Sequence, residues 1–202
     1  MLFRSVTWSL SPNVGSISTA GLYTAPASIT STQTITVTAT SAADTTKKGT
    51  ATVTLNPPAG TFSPIRVNTG GASYTDPSGQ LWSADTGFTG GNVSSTAASI
   101  ANTTTPTLYQ SERYGGVTYQ FTAPNGSYSV TLKFAEIYFT QAGKRSFNIA
   151  INGQTVETNL DIFAVAGANT AIDKTYTATS SGQITIQLIP VVENPKISAI
   201  QM

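Results

Sequence analysis

The chain has 202 residues, a formal net charge of +1, only 9% charged residues, and neither cysteine nor histidine. These absences exclude disulfides, thiol catalysis, a Ser-His-Asp triad and the usual zinc, copper and iron ligands. No run of lysine and arginine is present to attract nucleic acid, and no apolar stretch is long enough to span a bilayer, so we expect a neutral partner and no membrane insertion. We also expect no cofactor. Hydrophobic residues at 39%, with many threonines, glycines and asparagines, predict an all-β fold with a folded core.

The first piece of the chain, residues 1–56, is predicted to consist of short strands separated by turns. In Thr34–Thr40, the apolar residues Ile35, Val37 and Ala39 alternate with threonine. This period of two gives a strand one apolar face and one hydroxyl-rich face. The predicted strands are Ser5–Ser11, Leu22–Thr24, Thr34–Thr40 and Thr50–Leu55.

This first piece resembles the bacterial Ig-like repeats of large cell-surface proteins. The resemblance implies that Trp8 is a core tryptophan and that Leu22 and Tyr23 belong to a turn motif. An Ig sandwich needs about seven strands, so we expect only a partial Ig-like β-sandwich, whose open edge pairs with another domain or chain. The segments that carry the resemblance are VTWSLSPNVGSIS (Val6–Ser18), AGLYTAP (Ala20–Pro26), TITVTAT (Thr34–Thr40) and GTATVTL (Gly49–Leu55).

A linker is predicted at residues 57–60, where Pro57-Pro58 follows Asn56. Two consecutive prolines favour a stiff, extended connection. We therefore expect a second domain over residues 61–202. The opening residues, Met1–Ser5, lack the apolar core of a signal peptide, which favours a fragment of a longer protein.

The second piece is predicted to contain about nine strands and no helix, which is typical of a double-sheet jelly roll. Asn152-Gly153 is the strongest hairpin signal, and further turns are expected at Pro124-Asn125-Gly126 and Ser181-Gly182. The predicted strands are Ile65–Asn68, Leu108–Glu112, Val117–Thr122, Tyr128–Ile137, Ser146–Ile151, Thr155–Leu160, Ile172–Thr179, Ile184–Ile189 and Lys196–Gln201.

The second piece closely resembles the malectin domain family, which is grouped among carbohydrate-binding modules. The resemblance implies a galactose-binding-like jelly-roll β-sandwich that recognises glucose-containing sugars, with an α-linked diglucose as the first candidate. The matching blocks occur in family order: RVNTGG (Arg66–Gly71), LYQSERYG (Leu108–Gly115), NGSYSVTLKFAEIYF (Asn125–Phe139), GKRSFNIAINGQTV (Gly143–Val156), NLDIF (Asn159–Phe163) and NPKISAIQM (Asn194–Met202).

The family's sugar-contacting aromatics match Tyr114, Tyr138 and Phe139, and its acidic contact matches Glu193, where the family's lectin has aspartate. An aromatic ring can cover the C–H patch of a pyranose, and a carboxylate can accept hydrogen bonds from its hydroxyls. Residues 90–96 lack the further tyrosine of that lectin, so the resemblance does not fix the same sugar and linkage for this chain. Tyr138 and Phe139 are adjacent, so they share one site only if the chain bends after Ile137.

Two further residues, Trp82 and Arg113, are candidates for the sugar site. Trp82 has two alternatives, stacking on a sugar or packing in the core.

Glu136 falls on the apparent core face, where a carboxylate needs a partner, and either Arg113 or Arg145 is expected to supply it.

Three functions remain open at this stage. The first is a non-catalytic carbohydrate-binding module of a secreted or cell-surface bacterial protein. The second is a structural or adhesive segment without sugar binding. The third is a glycoside hydrolase that uses two carboxylates, such as Glu136 and Glu193.

Overall fold

The computed structural model describes residues 5–27, 29, 31–56 and 62–202. The chain forms two compact units, Met1–Ala59 and Gly60–Met202. Residues 57–60, the predicted linker, lie outside the described residues. No helix in the part that the structure describes is long or apolar enough to cross a membrane.

The first unit contains an antiparallel sheet in the order β1 (Val6–Ser11), β4 (Gln33–Ser41) and β5 (Lys48–Leu55). A separate hairpin consists of β2 (Ser16–Ile17) and β3 (Tyr23–Thr24). Ile35 and Val37 are buried, as the alternation predicts, and Trp8 is half-buried. All four predicted strands are present with shifted ends, whereas β2 was missed because it has only two residues. How this unit is completed, and whether it is Ig-like, stay predictions.

The second unit is built of strands with two short helices. Its strands are β6 Arg66–Asn68, β7 Tyr74–Thr75, β8 Leu81–Trp82, β9 Phe88–Ser95, β10 Ser111–Phe134, β11 Ser146–Ile151, β12 Gln154–Leu160, β13 Ile172–Val192, β14 Lys196–Ile197 and β15 Ala199–Gln201. Its helices are α1 Thr107–Gln110 and α2 Ile162–Ala166.

Two long strands, β10 and β13, organise this unit. They pair antiparallel along most of their length, with one register shift between Ala123 and Gly126. The turns predicted at Pro124-Asn125-Gly126 and Ser181-Gly182 are wrong, because these two segments lie opposite each other and bend both strands without ending them. Such a bulge lets a strand pass from one sheet of a sandwich to the other.

The bend divides the strands into two packed layers. Before it, β10 pairs with β9, and the later half of β13 pairs with β11, which pairs with β12. After it, β10 pairs with β15, and β15 pairs with β6. Val130, Leu132 and Phe134 alternate into a fully buried core that contains side chains from both layers. This arrangement confirms the predicted jelly-roll β-sandwich.

The strand predicted at Leu108–Glu112 is wrong over its first half. Pro106 precedes α1 with φ of −57°, which suits a helix start. Leu108 and Tyr109 are both buried although they are neighbours in sequence, and a helical turn permits this where a strand with one buried face does not. The strand β10 begins only at Ser111.

Local residue chemistry sets two further turns, and the first of them, at Asn152-Gly153, was predicted from the sequence. Asn152 and Gly153 have φ of 50° and 77°, the positive values that a tight hairpin between β11 and β12 requires. Asp161 fixes the turn before α2, because its carboxylate accepts the Ala164 N–H at 2.9 Å and the Gly143 N–H at 2.6 Å.

Candidate functional site

One cavity of about 240 Å³ lies at an end of the sandwich, where the start of β10, the segment after β10 and the turn before β14 meet. Four of the six candidate residues line it together: Tyr114, Tyr138, Phe139 and Glu193. The remaining lining residues are Ser94, Glu112, Arg145 and Asn194.

The first wall of this pocket is the bend that carries Tyr138 and Phe139. The regular strand ends at Phe134, a little before the expected bend at Ile137. The Glu136 carboxylate then accepts, through Oε1, the backbone N–H of Tyr138 at 3.0 Å and that of Phe139 at 3.1 Å. As a result both rings lie at the pocket, edge to face, with centroids 4.9 Å apart.

The second wall combines Tyr114 with the turn that contains Glu193. Tyr114 pairs with Lys196 in the ladder, and the Gly115 N–H donates to the Pro195 carbonyl at 2.9 Å. These bonds hold Tyr114 beside the turn. Glu193 is exposed and has φ of 57°, a left-handed conformation that is uncommon for glutamate and that the surrounding structure must hold.

Two buried ion pairs, here called the floor, contribute Arg145 and Glu112 to the lining of the pocket. Arg145 Nε lies 2.7 Å from Glu136 Oε2, and both side chains are almost fully buried. Lys196, which is fully buried, pairs with Glu112 and donates to the Ala135 carbonyl. Two acids and two bases balance here, so Glu193 is the one lining carboxylate with no ion pair among the described residues.

The pKa values of this floor follow from its burial and pairing. Burial alone would raise the pKa of Glu136, but the hydrogen bond from Arg145 and the charge of Lys196 hold that pKa below its ordinary value. Burial lowers the pKa of Lys196, and the charges of Glu112 and Glu136 oppose that shift. Glu136 is therefore an ionised, fully bonded group and not a proton donor.

The structure does not bring Arg113 and Trp82 to the pocket. Arg113 follows Glu112 in the strand and so faces the other way; its Nε lies 2.7 Å from Asp85 Oδ2 and its guanidinium lies over the Phe88 ring. Trp82 is buried in a second apolar cluster and donates from Nε1 to Asp76 at 3.1 Å. Neither set of contacts involves a residue that lines the pocket, and Arg145 is the partner of Glu136.

Four lining residues were absent from the sequence-based set. Glu112 could have been found, because it precedes Tyr114 by two positions and the strand period places both on one face. Ser94 lies on β9, a glycine-containing strand that was missed, and the signal for it was its place within residues 90–96, where the family's lectin has its further tyrosine. Among the described residues, no three histidine, cysteine, aspartate or glutamate side chains come together as a metal site.

Several proteins of known name are similar to this chain in sequence. The chain is 33% identical to Malectin-B of Xenopus laevis over a match that covers 46% of this chain and 40% of that protein. It is 33% identical to human Malectin, covering 46% and 38%. A probable LRR receptor-like serine/threonine-protein kinase of Arabidopsis thaliana is 32% identical, covering 55% of this chain and 13% of the kinase. The chain thus spans less than half the length of these curated relatives.

Two solved structures share the fold at low sequence identity. The Bacteroides uniformis β-glucuronidase matches with a TM-score of 0.64 and 22% identity over 97% of this chain and 26% of that one. The plant receptor-like kinase ANX2 matches with a TM-score of 0.61 and 19% identity over 68% and 46%. The family model of the Malectin domain matches residues 63–200. The chain belongs to the malectin domain family.

Proposed function

We propose that this chain is a non-catalytic carbohydrate-binding module whose pocket holds a neutral saccharide. The observation that carries the proposal is the convergence of Tyr114, Tyr138 and Phe139 with the unpaired carboxylate of Glu193 on one cavity. Aromatic faces suit the C–H patch of a sugar ring, and an exposed carboxylate suits its hydroxyls. Pockets that mix apolar walls with a few polar groups are typical ligand sites.

The charge of the pocket favours an uncharged ligand. Arg145 is paired with Glu136, and Lys196 is paired with Glu112. Among the described residues that line the pocket, no unpaired cation is therefore available to bind an acidic sugar. Glu193 would repel one. The family resemblance adds glucose-containing oligosaccharides, with an α-linked diglucose as the first candidate.

The strand β9 lacks the tyrosine that the family's lectin has there, and this difference affects which sugar linkage the pocket can accept. Asn92 lies opposite Tyr114, and Ser94 lies opposite Glu112, so both face the pocket side. These polar groups offer hydrogen bonds where an aromatic would offer a stacking surface. We therefore expect a preference that differs from that of the family's lectin. In the parent protein, we place the module in a secreted or cell-surface bacterial chain.

Glycoside hydrolysis is disfavoured by the state of the carboxylates. A hydrolase needs one carboxyl group that donates a proton and a second one across the bond. Glu136 is fully buried, with its oxygens bonded to two amides and Arg145. Glu112 is paired with Lys196. Among the described residues that line the pocket, only Glu193 is a carboxylate without an ion pair, and one carboxylate does not complete either hydrolytic mechanism.

A glycan array tests the proposed function directly. The labelled chain is applied to α- and β-linked glucose disaccharides, galactosides and uronic acid-containing glycans, next to a Glu193→Gln variant. We expect retention on neutral glucose-containing glycans, none on uronates, and weaker retention of the variant. Retention on no neutral glycan would refute the proposal, as would release of glucose from the arrayed sugars.

A further inference from the structure

We propose that the buried pair Glu136–Arg145 is a positioning device that holds the two walls of the pocket at the spacing that sugar binding requires. The inference rests on the proposed function. Glu136 does not line the pocket, whereas Arg145 does, so a measurement without sugar separates positioning from direct contact. Their effect on affinity would come from the placement of Tyr138, Phe139 and the turn at Glu193-Asn194.

Glu136 controls the first wall through its carboxylate. One oxygen accepts the amides of Tyr138 and Phe139, at 3.0 and 3.1 Å. The backbone of Glu136 is itself anchored, because its carbonyl accepts the Asn169 N–H at 2.8 Å. The carboxylate therefore extends from a fixed point and satisfies two amides that no strand partner satisfies after β10 ends.

Arg145 connects this wall to the opposite one. Its Nε donates to Glu136 Oε2 at 2.7 Å, and its Nη1 donates to the Asn194 carbonyl, next to Glu193. Its guanidinium carbon lies 5.0 Å from the centroid of the Phe139 ring. The planar guanidinium of Arg145 thus contacts the bend that carries Tyr138 and Phe139 and, at the same time, the turn at Glu193-Asn194. A lysine ammonium, which has one nitrogen, would not make both contacts.

The chain offers a matched pair that lacks this connection. Arg113 and Asp85 have the same Nε–carboxylate distance of 2.7 Å and are also nearly buried. Their further partners are the Gly90 and Gly91 carbonyls, the Gly70 N–H and the Tyr119 hydroxyl. No residue of that group lines the pocket, so the pair can serve as a control for stability alone.

The test compares Arg145→Lys with Arg113→Lys. Maltose, an α-linked glucose disaccharide, is the ligand in isothermal titration calorimetry, and urea unfolding gives stability. We expect Arg145→Lys to weaken maltose binding by about tenfold, because charge is kept but the bridging bonds are lost. Arg113→Lys is expected to lose similar stability with less than about a threefold change in affinity. Equal affinity losses in both variants, or none in Arg145→Lys, would overturn the inference.

A measurement without sugar keeps the inference separate from the proposed function. In the ligand-free chain, Arg145→Lys should shift the amide resonances of Tyr138, Phe139 and Asn194, and Arg113→Lys should leave them in place. If wild type binds no maltose or other neutral glycan, the proposed function fails while these shifts still report the positioning. If the three amides do not move, the positioning role is refuted whether or not sugar binds. Glu136→Gln, which keeps the side-chain volume, is expected to reproduce the shifts.

Discussion

Replacement of Lys196 by methionine is expected to lower the free energy of unfolding of the second unit by about 3–5 kcal/mol. Methionine fills a similar volume, so the loss is electrostatic and not a cavity effect. Lys196 is fully buried, and it pairs with Glu112, which is also buried. Removing the ammonium leaves that carboxylate without its counter-charge, and the Ala135 carbonyl loses a donor.

Urea unfolding of the second unit measures this effect. Trp82 is buried in that unit, and its fluorescence reports the unit alone once Trp8 has been replaced by phenylalanine. Lys174→Met is the control: Lys174 lies 3.4 Å from Glu157 in a pair that is about one-quarter exposed, and its loss is expected to cost less than about 1 kcal/mol.

A third variant separates the missing charge from the missing side chain. Glu112→Gln combined with Lys196→Met removes both charges, and it is expected to regain part of the stability that Lys196→Met loses. If Lys196→Met unfolds at the same urea concentration as Lys174→Met, the buried pair does not support the fold in the way described.

The second large effect is expected from Tyr138→Ala, which should weaken sugar binding by about 30-fold. Tyr138 is 74% exposed, so removal of its ring leaves the core intact. Its ring packs edge to face on Phe139, and both line the pocket. Truncation therefore removes one sugar-facing surface and loosens the other, with little change in the urea midpoint.

Two variants control for the loss of a ring and for the loss of exposed apolar surface. Tyr138→Phe keeps the ring and should retain most of the affinity. Leu81→Ala removes a side chain that is also exposed but lies outside the pocket, and it should leave affinity unchanged. Wild-type affinity in Tyr138→Ala would show that the sugar does not contact this wall.

The regular parts of the fold follow from local patterns in the sequence. Alternation predicts the buried face at Val130, Leu132 and Phe134, and the Asn152-Gly153 dipeptide predicts its hairpin. The same local signals mislead at Pro124 and Ser181, because a bulge and a hairpin use the same residue types. Only the pairing between distant strands decides which one forms, and that pairing is not encoded in either segment alone.

Those residues of the candidate pocket that lie in a family motif, or on the same strand face as a motif residue, were predictable from the sequence. Tyr114, Tyr138, Phe139 and Glu193 came from the motif, and the structure brings them to one cavity. The choice between Arg113 and Arg145 as the partner of Glu136 was not predictable. It depends on which of the two arginine side chains the folded chain brings next to the Glu136 carboxylate. Residues that act through tertiary contacts of this kind are visible only in three dimensions.

The most direct test is a titration of the ¹⁵N-labelled chain with the neutral disaccharide that the array retains best. We expect saturable shifts of the amides of Tyr114, Tyr138, Phe139 and Asn194. The polar depression formed by Asn152, Gly153, Thr179, Ser181, Gln183 and Thr185 is an internal control, and its amides should stay unchanged. Shifts confined to that depression, or none at saturating sugar, would contradict a saccharide site between the two walls.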